Sequence, residues 1–382
     1  MDGSDALTLA LVDGLDKVDK AAWDALANPP GKPFDPFLSW DFLQAFEESG
    51  CASAAKGWTP AHLIAREAGV MVGAMPLYAK DHSYGEYVFD HSWADALMRA
   101  GGRYYPKLQC AVPFTPVPGR RLLARDGDVA AAMGRGAIGL ADRVGASSVH
   151  ITFAEAELCA SLAPSGYLTR TGLQYHWFNQ GYQSFENFLG ALSSQKRKTI
   201  RRERRGAQEG LRIRRLRGAE ITSRHWDFFF RCYMDTGARK WGSPYLNRDF
   251  FALIGERMGD ACVLFVAESE SKPVASALNL IGGDVLYGRY WGRLWTRPFL
   301  HFELCYYQAI ELAIELGLSR VEAGAQGEHK LARGYVPVTT HSAHWIAHPG
   351  LRDAVAHYLR SETPAVAEEA EMLAEHTPFK KD

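Results

Sequence analysis

The stretch Glu322-Ala323-Gly324-Ala325-Gln326-Gly327-Glu328-His329-Lys330 sets two glycines around a glutamine and then three ionisable residues in a row. Glycine lets backbone N–H groups come close to a bound group. A carboxylate or imidazole beside them can take a proton from a bound group, so Glu328 and His329 are candidate bases. Gly324, Gln326, Gly327 and Lys330 are candidate binding positions; the competing reading is a solvated polar loop. His301-Phe302-Glu303 opens a long predicted helix, where free N–H groups attract anions. Glu303 is there either a third candidate base or a helix cap, and His301 a base or a ligand contact. Arg289 and Trp291 alternate with Tyr287 on one strand face, which suits a phosphate or carboxylate, or simple cross-strand packing. No Cys/His/Asp cluster has metal-ligand spacing.

Charge picks out one further segment. Lys196 to Arg217 carries eleven Lys and Arg against Glu203 and Glu209, in a chain whose net charge is -1. Lys196 and Arg197 head it, and Phe185, Phe188, Leu189, Leu192 and Ile200 give it an apolar stripe at helical spacing. Lys196 falls on the line of that stripe unless Ser193-Ser194 restarts the helix. Such a local field suits a polyanion, and equally a solvated helix. Elsewhere, Tyr104-Tyr105-Pro106-Lys107 lies on a proline-rich stretch, where Tyr104 and Lys107 are candidates for an acceptor wall or for packing within their own domain.

The elements that must position these residues follow from periodicity. Leu211–Arg217 reads as a strand, Ser223–Thr236 and Leu246–Met258 as helices, the second capped by Asn247. Ala261–Ala267 and Val274–Ile281 form a hairpin, and Val285–Trp291 a further strand. His301–Leu316 is a long helix stopped by Gly317. Arg320–Ala325 and Thr339–Ile346 close the order as strands, a mixed α+β arrangement.

That order occurs twice. Trp23-Asp24 returns as Trp226-Asp227, and Pro36-Phe37-Leu38 as Pro244-Tyr245-Leu246. Ala137-Ile138 through Val149 returns as Ala309-Ile310 through Val321, and His176-Trp177 as His344-Trp345. A repeat of this length is a domain duplication. It predicts an N-terminal domain over 1–180 and a C-terminal one over 181–382, the latter with a basic helix at about 183–209. The first copy carries a Pro/aromatic insert at about 91–127. It lacks the Gly-rich run, having Thr152–Leu158 at that place, so the asymmetry points to the second copy for chemistry. His176-Trp177 and His344-Trp345 read as closing-strand residues packed in each domain.

With 382 residues, 47% hydrophobic and 23% charged, the composition is that of an ordinary globular protein. Nothing spans a bilayer or reads as a signal peptide. Six scattered cysteines without a CxxC pair point to a reduced, cytoplasmic compartment.

The element order resembles the GNAT-type acyl-CoA N-acyltransferase fold in tandem, and its basic lead into the second copy resembles the FemAB-like branch. Stretches 82–90, 104–107, 196–205, 286–292, 300–310 and 324–335 are similar to a bacterial group of predicted N-acyltransferases or peptidoglycan biosynthesis/recognition proteins. The resemblance implies transfer of an acyl or aminoacyl group to an amine, on a cell-wall precursor, with acyl-CoA or aminoacyl-tRNA as donor. GNAT enzymes hold the CoA pyrophosphate on a Q/R-x-x-G-x-G/A loop. Arg289-Tyr290-Trp291-Gly292-Arg293-Leu294 ends in leucine instead, which leans toward tRNA as donor. Two other readings are a non-catalytic binding module for such a precursor or another anion, and an acetyl-CoA-dependent N-acetyltransferase.

Overall fold

The computed structural model describes residues 6–240, 244–324 and 327–380, with backbone alone at 238–240. They form two compact units, residues 1–173 with 339–368 and residues 174–338 with 369–382.

In the first unit, β1 (Thr8–Val12), β3 (His62–Glu67), β4 (Val70–Met75) and β7 (Leu123–Ala124) make one antiparallel sheet. The short β2 (Trp58–Pro60) pairs with β5 (Leu77–Lys80), β5 with β6 (Lys107–Cys110), and β6 runs parallel to β8 (Ser148–Ala154). The strand β9 (Leu168–Phe178) follows. Leu63, Met75, Leu108, Val149 and Ile151 meet Met133, Ala137 and Leu140 of the helix Gly127–Val144 in the core. The second unit holds β10 (Arg212–Arg217), β11 (Cys262–Ser269), β12 (Lys272–Gly282), β13 (Val285–Arg293) and β14 (Arg320–Glu322), each paired with the next. The helix Arg248–Arg257 begins at the predicted cap, where the Asn247 side chain accepts a hydrogen bond from Phe250 N at 3.0 Å. The last strand, β15 (Val336–Ile346), follows the 3-10 segment Glu328–Arg333.

Two expectations change. The proline-rich insert is not only a loop: it folds as the helix His91–Arg99 and the strand β6. In the first unit β6 takes the place that β13 has in the second, parallel to the strand after the long helix. Tyr84-Gly85, the sequence counterpart of Tyr287-Gly288, lies outside any strand. The closing strands, moreover, are exchanged between the copies. Trp177 of the first copy pairs with Val321 of the second, and Trp345 of the second with Val149 of the first. Glycine in the left-handed region repeats the same symmetry. Gly166 stands against Trp345, and Gly334 against Trp177 and Phe188.

Gly292 lies within β13, not in a loop. A Cβ there would stand 1.9 Å from the Cys232 carbonyl oxygen of the helix Ser223–Lys240. Backbone cannot yield as a side chain can. Gly292→Ala is therefore expected to destabilise the protein by roughly 1–3 kcal/mol, read as a lower denaturant midpoint at unchanged slope.

Candidate functional site

β13 and β14 run together only over Val285–Tyr287 and Arg320–Glu322. Beyond Gly288 they part. A register shift in β12, between Leu278 and Asn279, leaves Arg289 as the extra residue of β13. The parting leaves a small cavity of about 80 Å³, open at its mouth, with Asn279, Gly288, Arg289, Trp291, Tyr306 and Ala323 among its walls.

A widened helix supplies the opposite wall. The predicted helix from residue 301 is present, but it opens into a π turn over Glu303–Tyr307, a distortion often found at functional sites. Glu303 has no exposed surface. Its carboxylate accepts hydrogen bonds from Arg204, from Gln208 at 2.8 Å and from Gln308 at 2.7 Å. It is thus held as an anchor of the π turn and is neither a helix cap nor open to a substrate. The turn sets Tyr306, buried at 3% exposure, so that its hydroxyl meets His329 Nε2 at 2.9 Å. His301 stacks on Trp291 with ring centroids 4.4 Å apart, and its ring lies 6.2 Å from that of His329.

The glycine-rich run has a different physical role from the one its composition suggested. Gly327 has φ +117°, and a Cβ there would lie 2.5 Å from the His329 ring, so its bareness makes space for the imidazole. Gly324, at φ +79°, turns its carbonyl to accept a hydrogen bond from Lys330 Nζ at 2.8 Å. Lys330 is 1% exposed. Burial, with the Arg289 charge adding to it, pushes its ammonium down to about 7. Glu328 is exposed and makes no side-chain hydrogen bond among the described residues, as a solvated position would. Gln326 lies outside the described residues.

The remaining candidates fall elsewhere. Ser193-Ser194 does break the basic segment into the helices Phe185–Ala191 and Ser194–Gln208. Lys196 and Arg197 line neither the cavity above nor a second, open groove, where Arg201, Arg204, Arg205 and Arg215 gather over Phe185 and Ile213. Most of those arginines are paired: Arg204 with Glu303 and Glu311, Arg215 with Glu311 and Glu315, Arg201 with Glu186. Tyr104 and Lys107 are buried inside the first unit. Lys107 Nζ donates to Ser83 at 2.8 Å, Glu86 at 2.7 Å and Asp90 at 2.5 Å, and the Tyr104 hydroxyl donates to Asp90 at 2.7 Å.

Two residues of the cavity escaped sequence reasoning. Tyr306 sits in an apolar helix and had no motif to mark it. Asn279 did leave a signal, as a carboxamide inside the apolar strand run Ala277-Leu278-Asn279-Leu280-Ile281.

The sequence matches, over residues 14–381, the model of the FemAB-like family, described as peptidoglycan biosynthesis/recognition. The chain belongs to this family. No functionally curated protein shows significant sequence similarity to this FemAB-like chain. Among solved structures it is similar to FemX, at TM-score 0.55 and 11% identity, covering 89% of this chain and 98% of that one. It is similar also to L-PGS from Bacillus licheniformis, at TM-score 0.50 and 12% identity over 87% and 99% of the two chains. A tandem GNAT protein from the clavulanic acid biosynthesis pathway aligns at TM-score 0.47 and 11% identity, over 90% and 99%. The FemAB-like chain has a mixed α+β fold similar to those of FemX and L-PGS, and the likeness carries the fold alone. Among the described residues no helix is long and apolar enough to cross a membrane, and no three His, Cys, Asp or Glu side chains gather as a metal site would require.

Proposed function

We propose that the second unit of this FemAB-like protein catalyses N-acyl transfer, with an amine attacking an activated acyl or aminoacyl donor to form an amide. The observation that carries this reading is the cavity at the parting of β13 and β14, whose wall residue Tyr306 is hydrogen-bonded to His329. Lys330, next to His329 in the chain, is buried and donates to the Gly324 carbonyl. An imidazole near neutrality can take the proton the amine loses on attack. Tyr306 holds the ring through Nε2 and is itself kept protonated, because burial pushes its hydroxyl well above the usual phenol range. Lys330 in its charged form meets the negative charge that develops on the carbonyl oxygen. Arg289 at the cavity wall holds the donor's anionic end. The family description supports a cell-wall precursor as the acceptor. Aminoacyl-tRNA is the favoured donor, because no glycine-rich pyrophosphate loop stands at Arg289–Leu294; acyl-CoA is the alternative.

The test is product formation. The purified protein is incubated with aminoacyl-tRNA or acyl-CoA and a nucleotide-linked muramyl peptide, and the new amide is measured by mass spectrometry. His329→Ala is expected to lower the rate by about 10²–10⁴-fold, the usual contribution of a general base. Undiminished transfer by that variant, or no product with either donor, would remove the reading.

A further inference from the structure

The cavity between β13 and β14 contains polar groups that the fold leaves without adequate partners. Asn279 is 1% exposed, yet its carboxamide nitrogen reaches only the Ala277 carbonyl, two residues back along its own strand, at 3.5 Å. A carboxamide offers two N–H donors and an acceptor oxygen with two lone pairs. Nε1 of Trp291 is also buried, and it has no hydrogen-bond partner among the described residues. Both groups belong to one patch. Trp291 stands opposite Ala277 in the β12–β13 ladder, and Gly288 opposite Asn279, so Trp291 and Asn279 line the same cavity on one face. Buried polar atoms are nearly always satisfied, so two under-satisfied groups facing one cavity call for an explanation.

The surrounding walls limit what that can be. Ala277, Gly288 and Ala323 carry little or no side chain, and they leave open the space beside the amide. A Cβ on Gly288 would stand 3.4 Å from Asn279 Oδ1 and 3.7 Å from the Ala323 Cα, in contact with both sides of the cleft. The space therefore takes a short group. Asn279 presents an acceptor oxygen and a spare N–H, and Trp291 presents an N–H. A hydroxyl answers both kinds at once, since it accepts from an N–H and donates to the carboxamide oxygen. A methyl group would leave the N–H groups dry and unpaired, at a desolvation cost.

Building on the transfer reading above, we infer that this cavity is an acyl-side-chain subsite, selecting a donor whose acyl group carries a short hydroxylated side chain. Asn279 and Trp291 are its specificity residues. The discrimination is of the kind that hydrogen-bonding sites exert against analogues lacking the polar group.

The experiment measures binding by calorimetry to the full chain in two carrier series. One comprises 3′-amino-3′-deoxyadenosine joined through an amide to serine, alanine or leucine; the other is glycolyl-CoA against acetyl-CoA. In whichever series binds, the hydroxylated member is expected to bind about tenfold tighter than its deoxy partner, and the leucyl compound weakest. Trp291→Phe keeps the ring that stacks on His301 and removes the N–H; Asn279→Leu keeps the volume. Each should bring the hydroxylated and deoxy ligands to within about twofold of one another. Equal or tighter binding of the alanyl or acetyl compound, or a hydroxyl preference that survives both substitutions, overturns the subsite. Failure of every compound in both series overturns the transfer reading and the subsite together, which separates the two failures.

Discussion

Lys330→Met is expected to slow amide formation by about 10²–10³-fold while raising the melting temperature, the two effects pulling apart because one ammonium causes both. Lys330 is 1% exposed and its one hydrogen bond among the described residues runs to the Gly324 carbonyl. Burial pushes it from 10.5 down to about 7. The sign of the pH dependence follows. Between pH 7 and 10.5 the unfolded chain carries a proton on this lysine that the folded protein has lost. Stability from this group therefore rises with pH across that window, and its full cost is felt below pH 7. Methionine has a similar length and no charge to desolvate, so the gain is roughly 1–3 kcal/mol at neutral pH. Calorimetric melts at pH 6.5 and near pH 10 check it: the advantage of the variant should be large at the first and shrink at the second. A melting temperature that falls at neutral pH would show that Lys330 bears no such desolvation cost, and transfer that continues at the wild-type rate would show that it does not serve the reaction.

The largest loss of stability is expected in the other unit. Lys107→Met should destabilise the fold by about 3–5 kcal/mol, because it strands two buried carboxylates. Glu86 and Asp90 are 4% and 2% exposed, and Lys107 joins them both. Burial alone would push Lys107 down, but the two facing carboxylates outweigh it and raise it. Burial would likewise raise Asp90; the Lys107 charge reverses that and holds it low. Burial carries Glu86 up to about 7, with Lys107 opposing. For Asp90, whose folded value is depressed, the stabilisation is present above the ordinary carboxylate range and is lost as pH falls through the folded value. Glu86 is the reverse: its raised value favours the fold at low pH, and that contribution is lost as pH rises through about 7. Without Lys107 both carboxyls prefer their protons. The deficit of the variant should accordingly be greatest above pH 7 and narrow towards pH 5, as measured by denaturant midpoints along that range. A deficit independent of pH would instead point to lost packing of the lysine stem.

How much of this was legible in the sequence depends on the kind of interaction. Local signals read well. Periodicity and the Asn247 cap placed the helix Arg248–Arg257, and alternation placed β10 to β13 within a few residues. The duplication, together with the asymmetry of the glycine run, led to the stretch that holds His329 and Lys330. Partners distant in sequence did not read. A repeat shows that two closing strands exist and not which sheet each one closes. Lys107 lies in a strand whose four residues are all buried, so no polar alternation set it apart from the insert around it. Glu303 looked like a base because its partners, Arg204 and Gln208, approach from a helix about a hundred residues earlier. Gly292 resembled a phosphate loop because a close backbone approach to Cys232 demands the same absence of a side chain.

The exchange of closing strands bears on how such a chain arises and assembles. The pairings Val149 with Trp345 and Val321 with Trp177 are the same contact made twice, each between one copy and the other. A single copy would therefore lack the strand that completes its own sheet, and its own last strand would have no partner. Two free copies could satisfy both needs only by trading strands as a symmetric pair, with assembly that fails on dilution. Joining them in one polypeptide makes that trade intramolecular, at an effective concentration of about millimolar or more. It also frees the copies from identity. One could then acquire the buried charge cluster around Lys107, and the other the opening beside His329, without either change appearing twice.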